Sequence, residues 1–224
     1  MEPYVITIDG PSGSGKGSLA LALARKLGFH ILDSGAIYRL AALRARGQGV
    51  SLDDEQQVLQ AIDGMQIRFE SGEELTVPFL DGQDVSAELR EEATGSAASI
   101  VAAHPAVRER LLQTQRDFFR APGLVADGRD MGSTVFPAAR IKIFLLASAE
   151  VRAKRRYNQL INMDLSANID DLLTEIEARD ERDRNRAASP LVPAADAIVV
   201  DSSFMDREQV LDLVMQHIDE VNAT

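Results

Sequence analysis

The stretch VITIDGPSGSGKGSLALALARKLG, residues 5–28, constrains the fold more than any other part of the chain. YVITID (4–9) is continuous and β-branched, as in a strand buried on both faces. GPSGSGK (10–16) follows. KGSLALALARKLG then carries apolar residues at helical spacing up to Gly28, a fitting C-cap. Strand, glycine-rich turn, lysine and helix in that order give the pattern G-x-x-x-x-G-K its meaning. The glycines open backbone conformations in which successive N–H groups point inward at phosphate oxygens. The helix adds its positive end, and Lys16 a point charge for β- and γ-phosphates. Gly10, Pro11, Ser12, Gly13, Ser14, Gly15, Lys16, Gly17 and Ser18 are therefore expected to hold a chain of phosphates. One detail departs from the usual order: Gly17 stands between the lysine and the hydroxyl of Ser18.

Two other readings of this stretch are open. GKGSLA (15–20) fits G-x-G-x-x-[GA], and Asp33 lies 18 residues after Gly15, as in a dinucleotide-binding fold. Against it, six residues separate Ile8 from Gly15, which is the loop length needed to wrap a phosphate, and a lysine has no role in the dinucleotide turn. A GTPase switch would need an N-K-x-D guanine signature, which the chain lacks.

Beyond the loop, strand and helix patterns alternate. FHILDSG (29–35) reads as a strand and AIYRLAALRARG (36–47) as a helix closed by Gly47, with a short helix over 53–63. The texture changes at MQIRFESGEELTVPFLDG. Met65, Ile67 and Phe69 share one face, and Leu75, Val77 and Phe79 share another after a Ser-Gly turn, a hairpin pattern. Pro78 cannot donate to a ladder and is expected at an edge or a bulge. DGQDVSAELR offers a third short strand, so a small antiparallel insert is expected at about 63–92. Helical pattern resumes over 96–119, with a new helix starting at Pro105. GLVADGRD (123–130), RIKIFLLAS (140–148) and ADAIVVDSS (195–203) read as strands, and 149–163, 168–186 and the last segment as helices. This alternation predicts an α/β fold: a parallel sheet with helices on both faces, plus the small antiparallel insert.

Length and charge narrow the class. The chain has 224 residues, with 45% hydrophobic and 26% charged, as in a soluble one-domain protein spanning 1–224. It has no apolar run long enough for a bilayer and no basic n-region with an apolar h-region, so a cytoplasmic protein without a membrane partner is expected. Cysteine is absent, which excludes disulfides and thiolate metal sites. A net charge of −11 argues against a nucleic-acid binder. Basic residues cluster in VRAKRR (151–156) and ARDERDRNR (178–186), which fit either solvated helix faces or islands that attract a small anion. His30, His104 and His217 fit no metal-ligand spacing and are expected to be structural.

The run GPSGSGKGS resembles the nucleoside monophosphate kinases, where G-K-G-[ST] is usual. ITIDGPSGSGKGS, LDSGAIYR, VADGRDMGSTVFP and RDERDRNRAASPLVPAADA, in order along nearly the whole chain, resemble the bacterial cytidylate (CMP) kinase family. The resemblance implies a P-loop NTPase-type sheet, a monophosphate-binding region at about 36–100 containing the insert, and a mobile helical lid at about 151–170. It implies transfer of the ATP γ-phosphoryl to CMP or dCMP with Mg²⁺, by a monomer. Another P-loop small-molecule or nucleotide kinase is the alternative. Two nucleotides crowd several negative charges together, and the protein's task is positioning, charge neutralisation and exclusion of water.

The resemblance also implies roles for particular residues. Lys16 with Arg129, Arg179 and Arg186 would be catalytic, and Ser34, Arg39, Arg129 and Arg186 would hold the CMP phosphate. Were 178–186 helical, Arg179, Asp183 and Arg186 would stack on one face at i, i+4 and i+7. Ser99, Arg108 and Asp130 would line the base pocket, with Asp183 on the ribose. Cytosine's amino group wants acceptors and its ring nitrogen and carbonyl want a donor, and uracil reverses the first polarity. Ser18 and Asp127 are the Mg²⁺ candidates, directly or through water, although a carboxylate at the end of GLVA also suits a turn cap. Arg152, Arg155 and Arg156, with Lys154, resemble the lid.

Overall fold

The computed structural model describes residues 2–71, 76–162 and 166–223. In chain order the elements are β1 (Tyr4–Asp9), α1 (Lys16–Leu27), β2 (His30–Asp33), α2 (Ser34–Gly47), α3 (Glu55–Ile62), β3 (Ile67–Ser71), β4 (Thr76–Leu80) and β5 (Gln83–Asp84). Then come α4 (Ser86–Arg90), α5 (Glu92–Val101), α6 (Pro105–Arg116), β6 (Gly123–Gly128) and a π-helical turn (Met131–Val135). The chain continues through β7 (Ile141–Leu146), α7 (Ala149–Ile161), α8 (Ile169–Arg184), β8 (Ile198–Asp201) and α9 (Arg207–Asn222). Two compact units emerge: Met1–Leu32 with Arg116–Thr224, and Asp33–Gln115.

The first unit is built on a five-stranded sheet of order β2-β6-β1-β7-β8. β1 runs parallel to both β6 and β7, and β7 parallel to β8. Continuous apolar strands imply burial on both faces, and Ile6, Ile8, Val125, Ile141, Ile143 and Leu145 are all core residues. Leu19 and Leu23 of α1 and Val210, Val214 and Ile218 of α9 join the same core. The chain leaves β1 toward the β2 side, while β7 lies on the other side of β1. The carboxyl end of β1 is therefore a topological switch point, where a crevice opens in such sheets. Gly28 caps α1 in the left-handed conformation, as the sequence predicts.

In the second unit α5 packs along α2, and Ile37, Leu40, Val58, Ile62, Val101 and Val107 are buried. Gly47 is the last residue of α2 and Gln48 its cap, one place later than expected. The antiparallel sheet has the order β3-β4-β5. Met65, Ile67 and Phe69 are half-buried and alternate with exposed neighbours. Gly72 of the expected Ser-Gly turn, and Leu75, lie outside the described residues. Pro78 is neither on an edge strand nor at a bulge: β4 is the middle strand, and its register with β3 is unbroken from Ile67↔Leu80 to Ser71↔Thr76. The missing N–H is tolerated because β5 pairs only with Phe79 and Leu80. Among the described residues no helix is long and apolar enough to cross a membrane.

Candidate active site

The loop between β1 and α1 has the geometry of an anion cradle. Gly10 takes φ 153°, and a Cβ there would run into the Leu145 carbonyl oxygen of β7, so only glycine fits. Gly15, left-handed at φ 97°, is the N-cap of α1 and supplies no side-chain cap, and the first turn holds no acidic residue. The first amides of α1 thus receive no side-chain acceptor from the cap position. Lys16 Nζ donates to the Pro11 carbonyl at 3.1 Å, which folds the ammonium back over the loop.

Three carbonyls of this loop are held by cations or amides. Pro11 O accepts from Lys16, Ser12 O from Arg152 Nη1 at 3.1 Å, and Ser14 O from Arg155 Nη1 at 3.0 Å. In a trans peptide the C=O and the following N–H point in opposite directions. Turning the Ser12 and Ser14 carbonyls outward therefore turns the Gly13 and Gly15 amides the other way. The Ser14 hydroxyl is buried and has no hydrogen-bond partner among the described residues. A buried hydroxyl left so is costly, and a phosphate oxygen within the cradle would satisfy it.

Gly17, the departure from the usual lysine–hydroxyl order, has a steric role. A Cβ at Gly17 would lie 3.1 Å from Asp127 Oδ2. Asp127 is buried at the end of β6, opposite Ile8 in the ladder. The glycine lets this carboxylate approach the start of α1, one residue from the exposed Ser18. Carboxylate and hydroxyl oxygens are the donor set of a hard divalent cation, so these residues fit Mg²⁺.

A second charged group gathers at the end of α8. Asp183 is fully buried; its Oδ2 accepts from Arg129 Nε at 2.9 Å and its Oδ1 pairs with Arg186. Burial pushes the Asp183 carboxyl up, but Arg129, Arg186 and Arg179 outweigh it and hold the group below the usual range. α8 ends at Arg184, so Arg186 lies just past the cap residue Asn185 and not on a continuous helical face. It pairs with Asp183 nonetheless, and the charge of Arg179 bears on the same carboxylate. Arg129 follows β6, and Asp130 precedes the π-helical turn and is buried.

The basic segment of α7 divides by depth. Arg152 is buried and forks onto Asp180 of α8, Nη2 to Oδ2 at 2.6 Å and Nη1 to Oδ1 at 3.1 Å. Arg155 also donates to the carbonyl of Ser202 at 2.7 Å. Arg156 Nη1 donates to Gln159, and Lys154 is exposed. Two of the three arginines expected in a lid thus brace the phosphate loop from the root of α7. Residues 163–165 of the expected lid lie outside the described residues.

Within the second unit, Ser34, Tyr38 and Arg39 come from α2, Ser99 from α5 and Arg108 from α6. The Ser34 hydroxyl donates to Gln115 Oε1 at 2.8 Å. Arg39 Nη1 donates to the carbonyls of Leu89 at 2.6 Å and Glu91 at 3.3 Å. A Cβ on Gly95 would lie 2.9 Å from the Arg39 guanidinium, so the lack of one leaves room for it. Arg108 stacks over the Tyr38 ring at 5.3 Å and donates to the Ala102 carbonyl. The histidines are held structurally: His30 by the Ala121 carbonyl, His104 by that of Leu52, and His217 beside Glu220.

Several supporting residues were not legible from motifs. Gln115 is a polar residue on the buried stripe of α6, with Val107 and Leu111, and that breach of pattern is its signal. Asp180 sits among many helix charges and carries no local signal.

Strand, glycine loop, lysine and uncapped helix at the sheet's switch point define a P-loop phosphotransferase. The model of the cytidylate kinase family matches residues 6–220. A cytidylate kinase of Photobacterium profundum is 55% identical over 216 residues, covering 96% of this chain and 95% of that protein. Those of Vibrio vulnificus and Vibrio cholerae are each 54% identical over 215 residues, with 96% of this chain covered and 95% and 96% of theirs. The chain belongs to the cytidylate kinase family.

Proposed function

We propose that this enzyme transfers the γ-phosphoryl of ATP to CMP or dCMP, giving ADP and CDP or dCDP. The observation that carries the reading is the phosphate cradle with its buried, unsatisfied Ser14 hydroxyl and its amides turned inward by Arg152 and Arg155. In this reading the loop 10–18 holds the donor phosphates, and Lys16 leaves Pro11 to neutralise charge on the β- and γ-oxygens. Ser18 and Asp127 would hold Mg²⁺, which supplies charge neutralisation across the phosphates when bound. Arg179 serves the phosphoryl in transfer, while Arg129 and Arg186, oriented by Asp183, grip the acceptor phosphate with Ser34 and Arg39. Asp130 and Ser99 accept from the cytosine amino group, Arg108 donates to the ring, and Asp183 meets the ribose. Asp33–Gln115 includes the expected monophosphate-binding region at about 36–100. A lid near 151–170 excludes water, which would otherwise take the phosphoryl group. We place the activity in the cytoplasm, with the monomer as the active unit.

A coupled ADP-release assay across the common nucleoside monophosphates tests the reading. CMP and dCMP should be turned over and UMP strongly disfavoured. Equal turnover of UMP overturns the pocket assignment.

A further inference from the structure

Asp9 is the last residue of β1, directly before the phosphate loop, and only 5% exposed. Its two oxygens each accept one backbone amide at 2.8 Å, Oδ1 from Met131 and Oδ2 from Gly132. Those amides open the π-helical turn Met131–Val135. The first amides of any helical turn lack partners within it, and the residue before the turn commonly supplies one from its side chain. Here that residue is Asp130, and its side chain makes no capping hydrogen bond. Asp9 caps the turn instead, from a strand 122 residues away in sequence. The approach is possible because Asp9 pairs with Gly128 in the β1–β6 ladder, one residue before Arg129. Among the described residues, the charges acting on Asp9 are Asp130 and Arg129, which directly precede the turn it caps.

The chemistry of this cap is unusual for a structural role. Burying a carboxylate is expensive, and two amides offset only part of the cost. We propose that Asp9 is a positioning residue for acceptor selection: by capping the 131–135 turn it fixes the backbone from which the Arg129 guanidinium and the Asp130 carboxylate reach the nucleoside monophosphate. The inference rests on the assignment of Arg129 and Asp130 to CMP made above. Because Gly10 follows Asp9 directly, the same residue ties the base-selecting turn to the strand that carries the phosphate cradle.

The test is Asp9→Asn, which keeps size but turns one acceptor oxygen into a donor facing an amide. KM and kcat for CMP, UMP and ATP are measured beside those of Asp130→Ala. Asp9→Asn should raise KM for CMP about tenfold, on the scale of one lost charge-assisted hydrogen bond, and narrow the CMP/UMP ratio as Asp130→Ala does. KM for ATP should change less than about twofold. An unchanged CMP/UMP ratio, or ATP affinity lost in step with CMP affinity, overturns the inference. Asp9→Ser, uncharged and smaller, serves with the same expected outcome if the amide variant does not fold. Should Asp130→Ala itself leave CMP selection intact, the base-pocket assignment falls and the inference with it. Intact selection in the Asp9 variants alone overturns only the inference.

Discussion

The site arginines of the two units are held by different means. In the first, Asp183 holds Arg129 and Arg186 and Asp180 holds Arg152, with Arg155 resting on the carbonyls of Ser14 and Ser202. In the second, backbone carbonyls and a ring hold the proposed CMP ligands: Leu89 and Glu91 for Arg39, Ala102 and Tyr38 for Arg108. A carbonyl orients a guanidinium without cancelling its charge, while a carboxylate orients it and neutralises part of it. Where several arginines crowd together, as at 129, 179 and 186, the shared carboxylate also relieves their mutual repulsion. Breaking one of these contacts should therefore cost stability in the first unit and mainly binding geometry in the second.

Arg152→Ala breaks the comparison most severely if it fails. It leaves Asp180 buried without its fork, and unfolding by urea should show a loss of about 3–5 kcal/mol. Lys16→Ala should lower kcat by about 10²–10³-fold while calorimetric CMP affinity stays unchanged, as expected if the donor cradle acts independently of the acceptor residues. Asp130→Ala should cut the kcat/KM preference for CMP over UMP by about 100-fold, on the scale of a mismatched buried polar group.

Smaller effects sharpen the contrast. Burial pushes the Asp9 carboxyl up from 3.8 to about 6, Asp130 adds to the rise, and the Gly132 and Met131 amides with Arg129 oppose it. The native state thus holds this proton more tightly than the unfolded chain. Between about pH 4 and 6 the unfolded state binds fewer protons, so Asp9's contribution to stability falls as pH rises, by about 1–3 kcal/mol. CMP affinity should move the other way, since two amides need an ionised acceptor. Thermal melts and KM for CMP across this window, in wild type and Asp9→Asn, check both signs, the difference between the two proteins being the Asp9 contribution. In the second unit Gly95→Ala should displace the Arg39 guanidinium at a cost of about 1 kcal/mol, read as about a fivefold rise in KM for CMP with unfolding unchanged.

Most of the fold could be read from periodicity. β1, α1, the insert and the β6–β8 strands lie within a few residues of their expected places, because each depends on local alternation and capping. Pro78 misled as an edge signal, since the length of β5, not the proline, set which part of β4 needs donors. Arg186 misled as a helical-face residue, since the helix stops at Arg184 and a bend at Asn185 still brings it to Asp183.

The phosphate loop was determined by sequence alone. Its glycine positions, its lysine and the helix after it act within about ten residues of one another, and neighbouring residues fix such geometry. Tertiary structure decided the rest. That Asp9 caps Met131, that Arg152 turns Ser12 outward across 140 residues and that Gly17 makes room for Asp127 all follow from sheet order, with β6 and β7 on either side of β1. No local pattern specifies which carboxylate meets which amide; that pairing exists only once the strands have found their neighbours.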